Sequence, residues 1–96
     1  MTTLSEQDVQ ERLSALEGWD REGDEIVKQF ELRDFKASLA FVVRVAFEAE
    51  AANHHPDIDI RWNKVRLALS THSEGGLTVK DFDLATAIEA IAREGG

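Results

Sequence analysis

The sequence predicts an α+β domain in which helices pack on one face of a four-stranded antiparallel sheet. Three observations carry that prediction. Three segments repeat apolar residues at three- and four-residue steps, as one face of a helix requires. Two regions between them alternate apolar and polar residues around short polar breaks, as half-buried hairpins do. The segments follow in the order α-β-β-α-β-β-α, which suits an antiparallel sheet covered by helices.

The first helix begins near Ser5, where Thr3 or Ser5 can accept from the first free amides. It carries Val9, Leu13 and Leu16 on one face and is expected to stop at Gly18, a left-handed terminator. Trp19 to Arg21 and Glu25 to Leu32 flank the polar break EGDE, and Ile26, Lys28, Phe30 and Leu32 alternate with other residues. Asp34 can cap the longest helix, in which Phe35, Leu39, Val42, Val43, Ala46, Phe47 and Glu50 recur at helical spacing. Pro56 disfavours helical geometry at His55, so Asn53 to His55 form the helix exit. Ile58, Ile60 and Trp62 then alternate with Asp59 and Arg61, the pair Asn63-Lys64 punctuates, and Val65, Leu67 and Leu69 return. Thr78, with Asp81 three residues on, resembles a capping arrangement for a last helix that bears Phe82, Ala85, Ile88, Ile91 and Ala92. That helix is expected to end at Gly95 and Gly96.

Ninety-six residues form one expected domain, 1–96, with a modest core that oligomerisation would supplement. With 43% hydrophobic and 31% charged residues, the chain falls in the globular class. A net charge of -8 argues against direct nucleic-acid binding, which lysine and arginine carry. The absence of cysteine excludes disulfides and thiolate chemistry. The N-terminus lacks the basic start and apolar block of a signal peptide, and no apolar run reaches spanning length, so a cytoplasmic protein without membrane contact is expected.

All three histidines, His54, His55 and His72, fall at the ends of predicted elements. If the second hairpin returns antiparallel, His72 comes back beside His54 and His55. Imidazole, with an unperturbed pKa of about 6.5, exchanges protons at neutral pH, so such a cluster suits general acid–base work. Histidines at a helix end equally serve as partners for free carbonyls or solvent. Zinc ligation with Glu50 or Asp57 is the sharper rival, yet adjacent histidines diverge on an extended chain, and no metal is assigned. Ser70, Thr71 and Ser73 lie near His72 without a glycine-flanked elbow, so nucleophilic catalysis is disfavoured.

Glu50, three residues, His54-His55-Pro56, five residues, Trp62, nine residues, His72, eight residues and Asp81 together resemble the signature of the pterin-4a-carbinolamine dehydratases. The likeness runs through GWD, IVKQFELRDFKASLAFVVRVAFEAE, WNKVRLALSTH, GLT and DFDLA, over roughly residues 18–91. Position 62 holds tryptophan where tyrosine also occurs, and HSEGG is polar where some members carry cysteine and alanine.

The resemblance implies a hydro-lyase that converts 4a-hydroxytetrahydrobiopterin to quinonoid dihydrobiopterin in tetrahydrobiopterin recycling, without cofactor or metal. It implies a homodimer or homotetramer and a pterin contacted by His54, His55 and Pro56 and by Thr71, His72, Ser73 and Glu74. His54 and His72 are then the acid and base candidates, in exchangeable roles, and His55 orients the substrate. Glu50, at i, i+4 from His54, is positioned to accept its ring N–H, or is an ordinary solvated glutamate. Trp62 either walls the pocket or serves core or interface, and Asp81 supports the site or only the helix start. Some animal members also serve as dimerisation cofactors of a homeodomain transcription factor, so a non-catalytic binding role, or action on another pterin, is the alternative.

Overall fold

A computed structural model describes residues 2–94 of the chain. Helices α1 (Glu6–Ser14), α2 (Phe35–Ala52) and α3 (Val79–Arg93) are interleaved with strands β1 (Asp20–Glu22), β2 (Glu25–Glu31), β3 (Asp57–Arg61) and β4 (Lys64–Leu69). A single 3-10 turn, His72–Glu74, follows β4. The sheet order is β1-β2-β4-β3 and every neighbouring pair is antiparallel, so the expected α+β architecture and element order are those of the structure.

Strand periodicity decides which residues meet the helices. Ile26 and Phe30 of β2 lie opposite Leu69 and Val65 of β4, and Ile60 of β3 lies opposite Val65 on its other side. These side chains join Phe41, Val45 and Ala49 of α2, Phe82, Ala85 and Ile88 of α3, and Val9 of α1 in one cluster. Each large apolar side chain withdrawn from water in this way contributes roughly 1.5–3 kcal/mol. Between them on the strands stand Gln29, Arg66 and Asp59, aligned across the sheet on its other face.

Helix α2 is apolar around more of its circumference than the core uses. Ser38, Phe41, Val45 and Ala49 are buried, with the Ser38 hydroxyl satisfied by Asp34 O at 3.0 Å. Phe35, Leu39, Val43 and Phe47, at four-residue steps, form a second stripe that is exposed, Phe47 by 73%. Periodicity alone mixes the two stripes, which is why Phe41, the fully buried aromatic, does not stand out in the sequence.

Three boundaries differ from expectation, each for a local reason. Helix α1 ends at Ser14, before Gly18. Lys28 draws the connection onto the sheet instead, donating to Glu17 O at 2.9 Å and to Glu89 Oε2 at 2.8 Å, while the Trp19 indole N–H donates to the same oxygen at 3.0 Å. Gly18 has φ 84° and a Cβ there would stand 2.9 Å from Lys28 Cε, so the position serves a close approach rather than a helix cap. Trp19 is accordingly buried just ahead of β1 instead of within it.

The second hairpin turns at Trp62-Asn63, since Arg61 pairs with Lys64. Asn63 anchors the turn through its Nδ2 on Leu32 O at 3.0 Å and its carbonyl on Leu32 N–H at 2.8 Å. Trp62 takes the left-handed φ of 54° that the turn imposes, at a cost of roughly 1–2 kcal/mol for a residue with a Cβ. The expected end of the last helix at Gly95 and Gly96 lies outside the described residues. Among those described, no helix is long and apolar enough to cross a membrane.

Candidate active site

The site begins where α2 stops. Asn53 adopts a left-handed conformation, φ 51°, its N–H bonding Glu50 O at 3.1 Å and the His54 N–H bonding Ala49 O at 3.0 Å. Paired reverse bonds of this kind close a helix while redirecting the chain, and asparagine tolerates the backbone geometry. The redirection separates the two histidines: His54 is 8% exposed, whereas the His55 side chain is 54% exposed.

What receives His54 comes from α3. Asp81, the third residue of that helix and fully buried, places Oδ1 2.6 Å from His54 Nε2. Its Oδ2 accepts the Thr71 hydroxyl at 2.8 Å and the Thr78 backbone N–H at 2.9 Å. A buried carboxylate is costly unless it is met by donors, and Asp81 is met on both oxygens. Thr71 reaches it because β4 runs antiparallel to β3, so that Ala68 near its end lies opposite Asp57 at the start of β3. The exits of α2 and β4 and the entry of α3 therefore converge on one carboxylate.

His72 is the next residue after Thr71 and begins the 3-10 turn, which Gly75 closes with φ 75° and an N–H bond to His72 O at 3.1 Å. His72, Ser73 and Glu74 are exposed. Thr71 is not: its hydroxyl meets Asp81 and Thr78, its N–H meets Gly76, and its carbonyl accepts from Glu74 and Gly76. Every polar group expected to meet a ligand at Thr71 is thus committed inside the protein. On His54, Nδ1 has no hydrogen-bond partner among the described residues and is not sealed from solvent, which leaves it for a ligand.

Two expected partnerships are rearranged. Glu50 does not meet His54; its Oε1 lies 2.5 Å from His55 Nε2, with both side chains largely in solvent. The i, i+4 rule fails because helical geometry ends at Ala52, before His54 is reached. Trp62 caps the opposite end of β3 from His55, a strand length of roughly 17 Å away at about 3.3 Å per residue, so it does not wall this site within the chain. Pro56, half-buried, leads from His55 into β3. Thr78 was visible in the sequence only as a helix cap, and the Thr78–Asp81 spacing was the one signal for its place here.

A cavity of about 720 Å³ lies elsewhere, between α1 and α3, and Arg12, Leu16, Lys28, Thr86 and Arg93 are among its lining residues; no histidine lines it. Nor do three of the described histidine, aspartate and glutamate side chains converge as metal ligands would. The arrangement at the exits of α2 and β4 and the entry of α3 is instead a carboxylate-supported imidazole, with the exposed His72 following Thr71 in the chain, and imidazole so supported suits proton transfer.

Comparison with known proteins places the chain in a family. Residues 2–91 match the family model described as Pterin 4 alpha carbinolamine dehydratase. A Roseiflexus sp. (strain RS-1) protein provisionally named as a pterin-4-alpha-carbinolamine dehydratase is 62% identical over 90 residues, 94% of this chain and 97% of its own. A similarly named protein of Nocardia farcinica is 52% identical over 95 residues, covering 97% and 100%. A crystal structure described as a transcriptional coactivator/pterin dehydratase from Brucella melitensis superposes with TM-score 0.91 at 35% identity, over 95% of this chain and 99% of that one. A pterin dehydratase-like protein described as a RuBisCO assembly factor in the alpha-carboxysome shares the fold, with TM-score 0.63 at 20% identity over 77% of this chain and 86% of its own. By the extent of these matches, the chain belongs to the pterin 4 alpha carbinolamine dehydratase family.

Proposed function

We propose that the protein is a hydro-lyase that converts 4a-hydroxytetrahydrobiopterin to quinonoid dihydrobiopterin and water, returning pterin to the pool that is reduced to tetrahydrobiopterin. The observation that carries this reading is the buried Asp81–His54 contact at 2.6 Å, one residue along the chain from His72 at Thr71. Family membership supports the dehydratase class.

The geometry favours His54 as the base. With Nε2–H directed at Asp81, Nδ1 offers a lone pair to the pterin N5 proton, and the imidazolium that forms faces a carboxylate. His72, as imidazolium, protonates the hydroxyl on carbon 4a. The C4a–O bond then breaks with its electron pair leaving on oxygen as water, the N5 lone pair stabilises the resulting cation, and loss of the N5 proton forms the C=N bond of the product. One proton is given by His72 and one is taken by His54, so exchange with solvent restores both. No electrons are transferred, and both protons have side-chain carriers. His55, held by Glu50, orients the ring together with Pro56, Ser73 and Glu74. Each proton transfer contributes about 10²- to 10⁴-fold.

Stopped-flow decay of the 4a-carbinolamine tests the reading. Wild type is expected to accelerate decay without added metal, and His54→Ala and His72→Ala each to remove about 10²-fold or more of that acceleration. A wild type no faster than buffer refutes the dehydratase and leaves the non-catalytic binding role or a different pterin.

The exposed stripe Phe35, Leu39, Val43 and Phe47 favours self-association as homodimer or homotetramer through α2, because contiguous apolar surface on a small protein is normally covered. Sedimentation velocity is expected to give an oligomer that Phe47→Glu converts toward monomer. A monomeric wild type at micromolar concentration removes the proposal and turns attention to a foreign helix as occupant.

A further inference from the structure

We propose that Thr71 and Thr78 are positioning residues whose hydroxyls fix which nitrogen of His54 faces the substrate; the catalytic consequence rests on the dehydratase reading above. The inference comes from hydrogen accounting. Thr71 Oγ1 lies 2.8 Å from Asp81 Oδ2 and 2.8 Å from Thr78 Oγ1. A carboxylate oxygen only accepts, so the single Thr71 hydroxyl hydrogen goes to Asp81. Thr78 must therefore supply the hydrogen between the two threonines, and its own oxygen accepts the Lys80 N–H at 3.2 Å. The chain runs one way, from Thr78 to Thr71 to Asp81, and the Thr78 backbone N–H adds a second donor to the same Oδ2 at 2.9 Å.

Two donors on Oδ2 hold the carboxylate against rotation and leave Oδ1 facing His54 Nε2. If the neutral ring carried its hydrogen on Nδ1, a bare nitrogen lone pair would stand 2.6 Å from a buried carboxylate oxygen. That arrangement is repulsive, and its low-dielectric surroundings do not screen it. The hydrogen is thus fixed on Nε2 and the lone pair on Nδ1, the nitrogen left without a partner among the described residues. Thr71 and Thr78 are 4% and 0% exposed, so they act on the reaction only through Asp81 and His54. This also assigns Thr71 a place behind the imidazole rather than against the ligand.

The test is imidazole ¹⁵N NMR on labelled protein, with His54 assigned by loss of its signals in His54→Gln, together with steady-state dehydration kinetics. Wild-type His54 is expected to show the Nε2–H tautomer. Thr71→Val is expected to yield a mixture of tautomers and to lower kcat about tenfold, the size expected for one hydrogen bond to a buried charged group, with KM nearly unchanged. Thr71→Ser, which restores the hydroxyl, returns both readouts. Wild-type His54 protonated on Nδ1 overturns the inference, whatever the variants do, as does a folded Thr71→Val with wild-type tautomer and kcat. Should Thr71→Val not fold, the wild-type spectrum and Thr78→Ser against Thr78→Ala decide. If the expected tautomers appear but wild type does not dehydrate the carbinolamine, the lock stands and the dehydratase reading falls; if dehydration is fast while the tautomer is wrong, the reverse holds.

Discussion

His54 and His55 are consecutive, and each sets Nε2 against a carboxylate at nearly the same distance, 2.6 Å to Asp81 and 2.5 Å to Glu50. Their surroundings are opposite. The Asp81 and His54 side chains are 0% and 9% exposed, while those of Glu50 and His55 are 77% and 54% exposed. An exposed pair is worth about 0–1 kcal/mol, because water competes for both groups and side-chain entropy opposes the contact. Removing one member of a buried pair costs roughly 3–5 kcal/mol, since the other is left unmet. The contact length is therefore uninformative, and burial together with the remaining partners of each carboxylate shows which imidazole is held in one state.

The largest test of that contrast is Asp81→Asn. An amide cannot accept from Thr71, Thr78 and His54 at once, so kcat is expected to fall about 10²- to 10⁴-fold, as when a triad aspartate becomes asparagine. Denaturant unfolding of the same variant is expected to show a loss of roughly 1–3 kcal/mol. Activity within about threefold of wild type would erase the distinction between the two pairs, since a supporting carboxylate is expected to matter far more.

A smaller effect is expected at Asp34, half-buried and bonded to backbone where Glu50 is exposed. Its carboxylate accepts the Ala37 N–H at 2.8 Å, and that bond first, then the charges of Arg33 and Lys36, lower its pKa. A depressed carboxylate pKa stabilises the fold above the unfolded value, and the benefit is lost as pH falls through the folded value. Thermal unfolding from pH 7 downward should thus show a decline below about pH 4 that Asp34→Asn lessens, because asparagine caps equally well without titrating. An identical acid profile in the variant argues that the cap adds no pH sensitivity.

The smallest is Glu50→Gln, expected to change stability by less than about 0.5 kcal/mol and kcat by less than about threefold. A drop approaching that of Asp81→Asn would promote the exposed pair to the same standing as the buried one.

The sequence made the elements legible because strand and helix periods differ and because Asp34, Thr78 and Pro56 mark helix boundaries. The expectation that all three histidines follow the ends of elements agrees with their places after α2 and β4. The choice of inward histidine was not legible, because it depends on a left-handed Asn53 that redirects the chain one residue before His54, where local pairing rules would have placed Glu50. The true partner, Asp81, is 27 positions distant in sequence, and only the packing of α3 against α2 brings it near. Trp62 was misplaced for a related reason: alternation continues it onto β3, while the Arg61–Lys64 register moves it into the turn.

Asp81 accepts the Thr78 N–H as part of the capping box that starts α3, and the same side chain grips His54. Assembly of the terminal helix and arming of the imidazole are consequently one event. On the proposed reading, a chain whose third helix has not formed lacks the carboxylate that supports its base. The two tasks of Asp81 are thereby tied: a substitution there loosens the start of α3 together with the hold on His54, whereas exposed His72 has no such second task among the contacts described.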